Sequence, residues 1–176
     1  RVLGQLERLD RRLQNDVPHA LMGHGSLHAS IIEGGREMSS YPDRALLRLE
    51  RRTLPGDPES IALIEVTSIL EGLAAEDATF SARASHMFSR PAYEVAENHP
   101  LPAQLAEVVS GLGRRASLVG ASFWTDAAVM AHAGIPSVLF GPTGAGLHSI
   151  EEWVDASSVV FCRDALAELA RRVCGA

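Results

Sequence analysis

Residues 124–154 read WTDAAVMAHAGIPSVLFGPTGAGLHSIEEWV, and this run decides the fold. Residues 125–133 have the spacing of a short helix, with Gly134 set to end it before Ile135-Pro136. Ser137 to Phe140 follows as a short apolar strand of the kind buried on both faces of a parallel sheet. A glycine-bearing loop then leads to His148 and the acid pair Glu151-Glu152. Open α/β sheets take ligands beyond the C-terminal ends of their strands, which makes His148 the leading candidate for chemistry. A neutral imidazole there can bind zinc at about 2.0–2.1 Å, although loop histidines are more often simply solvated. Glu152 either orients the free ring nitrogen of His148 or caps the adjacent segment. Thr125 and Asp126 open the helix, as an N-cap with a carboxylate at the positive end of the dipole, or as support beneath a metal or substrate loop.

Upstream the pattern changes. Val2, Leu6, Leu9 and Leu13 form a helical stripe over residues 1–14, ended by Asn15, Asp16 and Pro18. The stripe starts with the first residues and lacks an initiator Met or a capping residue, so the sequence reads as a fragment. A strand over 26–33 has Leu27, Ala29 and Ile31 on one face and His28, Ser30 and Ile32 on the other. After turns at Gly34-Gly35 and Pro42-Asp43, a second strand over 44–52 sets Ala45, Leu47 and Leu49 against Arg48, Glu50 and Arg52. Leu54-Pro55-Gly56 turns the chain into a helix, with Asp57 as N-cap, Pro58 at its first position and a stripe of Leu63, Val66, Leu70 and Leu73. A third strand is expected over 78–88, burying Phe80, Ala82 and Ala84. Residues 1–88 therefore read as α-β-β-α-β, a ferredoxin-like sandwich without its first strand. Residues 89–102 carry three prolines and read as a linker. Beyond it come a helix (102–112), a strand (117–122), the run quoted above and a long helix over 156–173, an α/β unit within 89–176.

Composition excludes several classes. All 16 basic residues are Arg, so there is no Schiff-base, P-loop or general-base lysine. A net charge of −6 and a pI near 5.6 argue against a nucleic-acid partner. No apolar run approaches the roughly 18 residues of a membrane span, because Asp126 and Pro136 interrupt the best stretch. No signal-peptide pattern opens the sequence. Cys162 and Cys174 fall in one helix, roughly 18 Å apart at about 1.5 Å per residue, too far for a disulfide. Buried thiols in a reducing cytoplasm fit them. There is no G-x-S-x-G elbow, H-E-x-x-H or C-x-x-C, and the glycines of 141–146 lack the Lys-Ser/Thr of a phosphate loop.

Arg52 ends its strand on the face opposite the core. It either clamps a substrate carboxylate bidentately or pairs with Glu50. His28 shares that outer face and reads as structural, His86 as a satisfied core histidine, and His19, His24, His99 and His132 carry no motif.

Three stretches in one order, GGREMSSYPDRALLRLERRTLPGDPE (34–59), WTDAAVMAHAGIPSVLFGP (124–142) and HSIEEWV (148–154), resemble the zinc exopeptidase and amidohydrolase family. That family includes acetylornithine deacetylase, succinyl-diaminopimelate desuccinylase, aminoacylase and glutamate carboxypeptidase. The resemblance implies an α/β chain: a ferredoxin-like lid and dimerisation domain (1–88), then the C-terminal part of a zinc-peptidase-type α/β catalytic domain (89–176). It aligns His148 with the family's final zinc ligand and Arg52 with the lid arginine that holds the substrate carboxylate. Ser39 falls where many members have a substrate-touching asparagine, a departure that leaves its role open. Asp126 matches a Thr-Asp motif that many members precede with glycine, where this chain has Phe123-Trp124. The remaining metal ligands, the Glu-Glu pair that holds the general base and the lid histidine that completes a neighbouring subunit's site would lie ahead of Arg1.

For the intact protein the resemblance implies two zinc ions per subunit, which cobalt or manganese can replace. It also implies a metal-activated water that cleaves the amide of an N-acyl-amino acid or small peptide, and a cytoplasmic homodimer paired through the lid. The partner would be a small carboxylate-bearing substrate, without nucleic acid or membrane. The fragment alone would be inactive. The alternative is a non-catalytic dimerisation or small-ligand-binding module built on the ferredoxin-like half.

Overall fold

The computed structural model describes residues 1–175. They form a mixed α/β chain with two small antiparallel sheets, divided into two compact units. The first holds Arg1–Tyr93 with Gly120–Trp124, the second Glu94–Val119 with the described residues from Thr125 on.

In the first unit, helix α1 (Val2–Asn15) precedes strands β1 (Ser26–Gly34) and β2 (Ala45–Arg52), and helix α2 (Ile61–Glu76) follows. The stripe read in α1 is the core: Leu6, Leu9 and Leu13 are buried with Leu27 of β1, and Leu47, Leu49, Val66 and Ile69 pack against them. Burial of such apolar surface supplies the main favourable term, about 25 cal/mol per Å².

The two strands pair antiparallel from Ser26 opposite Arg52 to Gly34 opposite Ala45, with a register shift between Ala29 and Ile31. That bulge corrects the expected strict alternation. Before it, Leu27 and Ala29 oppose Arg51 and Leu49; after it, Ile32 opposes Leu47 while Ile31 opposes Arg48. One inserted residue swaps the faces beyond it, so Ile32 and not Ile31 shares the side of Leu47.

Three further expectations are corrected in this unit. Helix α2 starts at Ile61 behind Ser60, not behind Asp57. The Asp57 carboxylate instead accepts the Leu54 N–H at 2.9 Å and closes the preceding turn. Residues 78–88, read as a third strand, join no ladder. Phe80 lies under the Arg1 guanidinium, 5.5 Å from its ring centroid, with Arg1 ion-paired to Asp77 at 2.8 Å. These local partners occupy the start of the segment, and its alternate apolar residues meet no second sheet face. His86, expected in the core, is exposed.

Asp77 accepts the hydroxyl and N–H of Thr79 and faces Arg1, and these hold its carboxyl down at about 2. A carboxyl lowered in the folded state stabilises above its unfolded value of about 3.9 and loses that contribution as pH falls through about 2. Asp77→Asn should therefore flatten the acid limb of a Tm-against-pH profile between those values, relative to the natural chain. Superimposable profiles would refute this.

In the second unit, helix α3 (Pro100–Gly111) packs on the long helix α5 (Ala156–Cys174), burying Leu105, Val108, Val109, Ala165 and Leu169. His99, left without a role by the sequence, caps α3: its Nδ1 accepts the Leu101 N–H at 3.3 Å, with Pro100 at the first position. Helix α4 (Ala127–His132) is shorter than expected and ends with Gly134 at φ 78°. Strands β3 (Gly144–Ala145) and β4 (Trp153–Val154) make a small hairpin.

The expected strands at 117–122 and 137–140 join no ladder among the described residues. An inner strand of a parallel sheet takes its hydrogen bonds from strands on either side, and none pairs with these segments here. Val138 and Phe140 still turn inward against the α3–α5 core. Cys162 is buried and Cys174 exposed, both free, so the expected burial holds for the first thiol alone. No helix among the described residues is long and apolar enough to cross a membrane.

Candidate functional site

His148 sits in the loop of the β3–β4 hairpin, where Gly144 opposes Val154 and Ala145 opposes Trp153. The base of the hairpin is fixed from inside. The Ser158 hydroxyl, 1% exposed, accepts the Thr143 N–H at 2.9 Å and donates to the Asp155 carbonyl at 2.6 Å. Asp155 closes the same corner: its N–H reaches the Thr143 carbonyl at 2.8 Å and its carboxylate caps α5 through Ser157. Accepting from the Ser157 hydroxyl and N–H lowers its carboxyl below the usual range.

Within the loop, the Ser149 N–H donates to the Gly146 carbonyl at 2.7 Å, and the Ser149 hydroxyl to the Glu151 carbonyl at 3.1 Å. His148 itself has φ 63°, the single non-glycine among the described residues in the left-handed region. Such a backbone costs energy and persists where its surroundings over-determine it. The result is an imidazole held out into solvent on a loop tied down at both ends. Its ring has no hydrogen-bond or ionic partner among the described residues.

The other candidates of this unit make no hydrogen bond or ion pair with it among the described residues, although Glu152 lies in the same hairpin loop. Asp126 precedes α4 but makes no side-chain cap bond, so the simple capping reading of Thr125-Asp126 is not realised, and its carboxylate is exposed. Glu152 is exposed and caps nothing; Asp155 takes that role. Among the described residues, no group of three His, Cys, Asp or Glu side chains could hold a metal ion. His148 is therefore one donor, not a centre.

Arg52 lies in the first unit at the end of β2. Its Nε pairs with Glu50 at 3.1 Å and its Nη1 donates to the Ser122 carbonyl at 2.8 Å, while 46% of the side chain remains exposed. The surface pairing with Glu50 is present, and N–H donors remain for an anion, since a guanidinium carries five. Ser39 is exposed in the turn after β1.

The residue that the sequence reading passed over is Arg51. It shares the inward face with Leu47 and Leu49, and its side chain is 4% exposed. Nε meets Glu65 of α2 at 3.0 Å, Nη2 lies 3.8 Å from Asp57, and Nη1 donates to the Arg52 carbonyl. Period-two spacing from Leu49 was the available signal. Glu65 and Asp57, both downstream, are the acids that let a cation lie there.

The model of one protein family, described as peptidase family M20/M25/M40, matches residues 17–172. None of the curated proteins matches the chain. Among solved structures, the chain is similar to aminopeptidase PepT from Bacillus cereus ATCC 10987, with a TM-score of 0.72 at 16% identity over 96% of this chain and 43% of that one. It is also similar to the Bacillus subtilis YxeP protein, described as a dinuclear metal binding peptidase, with a TM-score of 0.68 at 20% identity over 98% of this chain and 45% of that one. At these identities the likeness is one of fold. The chain spans less than half the length of either protein.

Proposed function

The chain belongs to peptidase family M20/M25/M40, and from that premise we propose that it works as part of a metal-dependent hydrolase cleaving the amide bond of N-acyl-amino acids or small peptides. The observation that carries this reading is the extent of the family match, which runs through both the β2 end bearing Arg52 and the hairpin bearing His148. In this reading residues 1–88 are the lid and dimerisation domain and 89–176 part of the catalytic domain. His148 is one ligand of a two-metal centre, and Arg52, with Ser39 beside the path of the substrate, receives its carboxylate. Thr125, Asp126 and Glu152 support the metal and substrate loops.

The described residues do not complete a metal site by themselves. What they offer is one imidazole donor on an anchored hairpin loop. Zinc is the metal proposed, because imidazole with carboxylate donors suits it; cobalt and manganese accept similar sets. The dinuclear character of YxeP supports a pair of ions. Dimerisation is proposed through the first unit, whose two-stranded sheet leaves one edge of each strand without a ladder partner among the described residues. Two free thiols support a reducing, cytoplasmic setting.

Two substitutions test this in a protein carrying the complete metal site. His148→Ala should lower bound metal and amidase activity together, and unchanged metal stoichiometry would remove it from the ligand set. Arg52→Ala should raise KM about ten- to a hundred-fold for free-carboxylate substrates with little change in kcat, the size of one lost charged hydrogen bond. Equal kinetics of the natural protein on free-acid and amide-capped substrates would refute the carboxylate role. The 176-residue chain on its own should hydrolyse neither.

A further inference from the structure

Gly120–Trp124 belongs to the first unit, although Val119 and Thr125 on either side belong to the second. Three contacts inside the first unit hold this strap. Gly120 lies so close to the loop after α1 that a β-carbon would overlap the Leu21 carbonyl and stand 2.6 Å from the Met22 sulfur. The Arg90 guanidinium lies 4.1 Å from the Trp124 ring centroid, within cation–π range. Between these, Arg52 donates to the Ser122 carbonyl at 2.8 Å.

The three contacts differ in what can displace them. Backbone packing at Gly120 offers an anion no charged partner, and the Arg90 guanidinium can take a carboxylate on its N–H edge without leaving the Trp124 face. The Arg52 contact joins a half-exposed guanidinium to a neutral carbonyl. A carboxylate is a stronger partner for that guanidinium: it is charged and takes two parallel N–H bonds. Glu50 already holds Nε, so the Nη atoms, one of them engaged with Ser122, are the side an incoming carboxylate meets.

We propose that Arg52 is a carboxylate-released latch: in the ligand-free protein it holds the Gly120–Trp124 strap by the Ser122 carbonyl, and an arriving carboxylate takes its Nη atoms and frees the strap. This rests on the carboxylate-binding role proposed above. Arg52 thus links arrival of the ligand's charged end to the freedom of the strap that runs directly into Thr125 and Asp126.

Trp124 and Trp153 are the two tryptophans of the chain, so Trp153→Phe leaves Trp124 as sole reporter of the strap. In that background and without ligand, Arg52→Ala should shift Trp124 emission to the red and speed amide exchange over 120–124 about ten-fold, the scale of one lost hydrogen bond. Arg52→Lys, which keeps the charge without the planar fork, should fall between. Adding N-acetyl-L-alanine to the Arg52 protein should reproduce the shift, and N-acetyl-L-alaninamide should not, with binding followed separately by calorimetry.

An unchanged strap in both ligand-free variants overturns the latch. Calorimetric binding of the carboxylate with Trp124 and the strap amides unmoved overturns the release while leaving the carboxylate role of Arg52 intact. No binding of the carboxylate by the natural chain overturns that role and the release with it, and a strap freed by Arg52→Ala in the same experiment then marks the Ser122 bond as structural alone.

Discussion

Arg51→Met should destabilise the first unit by about 3–5 kcal/mol, the usual cost of removing one partner from a buried ion pair. The cause is the acid left behind. Glu65 has a side chain only 12% exposed and meets Arg51 Nε at 3.0 Å. Asp57 and the Arg52 carbonyl lose the same partner. Met fills comparable volume, so packing loss is the smaller part, and Arg51→Met with Glu65→Leu should recover most of the stability, as replacing a whole buried pair by apolar groups often does.

Urea unfolding in the Trp153→Phe background reads the first unit through Trp124. A loss under about 1 kcal/mol in the single variant would show that Glu65 reaches water on its own. Because Arg51 also fixes the end of β2, Arg52 should be displaced in the single variant and restored in the double only as far as the strand end re-forms.

The second large effect is expected at Gly146→Ala. Gly146 has φ 78°, and an added β-carbon would overlap the Glu151 carbonyl and stand 2.7 Å from the Ser149 hydroxyl. Gly134 has the same φ of 78° and open space around it, so the pair separates two costs. Gly134→Ala carries the left-handed backbone penalty alone, about 1 kcal/mol. Gly146→Ala adds a steric overlap that only a shift of the hairpin loop relieves, and should cost at least about 2 kcal/mol more.

In the Trp124→Phe background, Trp153 on β4 reports this directly, and amide exchange over 144–154 should accelerate in Gly146→Ala but not in Gly134→Ala. Equal behaviour of the two variants would mean the loop tolerates the extra carbon. If His148 is a metal ligand, Gly146→Ala should also weaken metal binding in the complete enzyme without touching a donor atom.

These residues show what was legible in the sequence and what was not. The α1 stripe of Leu6, Leu9 and Leu13 reads directly, because helical periodicity survives whatever packs against it. The ends of β1 and β2 were equally plain from their turn residues. The Ser30 bulge was hidden, since an inserted residue leaves an apolar pair, Ile31-Ile32, that fits either face. Arg51 was hidden because charge argues for solvent until its distant acids are known. The apolar run 137–140 was legible in its core-facing Val138 and Phe140, but Leu139 is half-exposed and the run joins no ladder, because ladder partners are contributed by other stretches of chain. His148 could be picked out by its place after the Gly-Pro turn, whereas its left-handed backbone and the Ser158 anchor of its hairpin arise only once the loop is folded against α5.

The residue ranges of the two units have a consequence for dissection. The chain leaves the first unit after Tyr93, contributes Gly120–Trp124 to it, and departs again at Thr125. No single cut yields either unit whole. A protease nick near residue 94 would leave a peptide whose middle remains docked to the piece it was severed from, so the two products should co-elute under native conditions and separate only in denaturant. Any effort to produce the first unit alone has to graft those five residues back in, by a linker from Tyr93 or as a separate peptide.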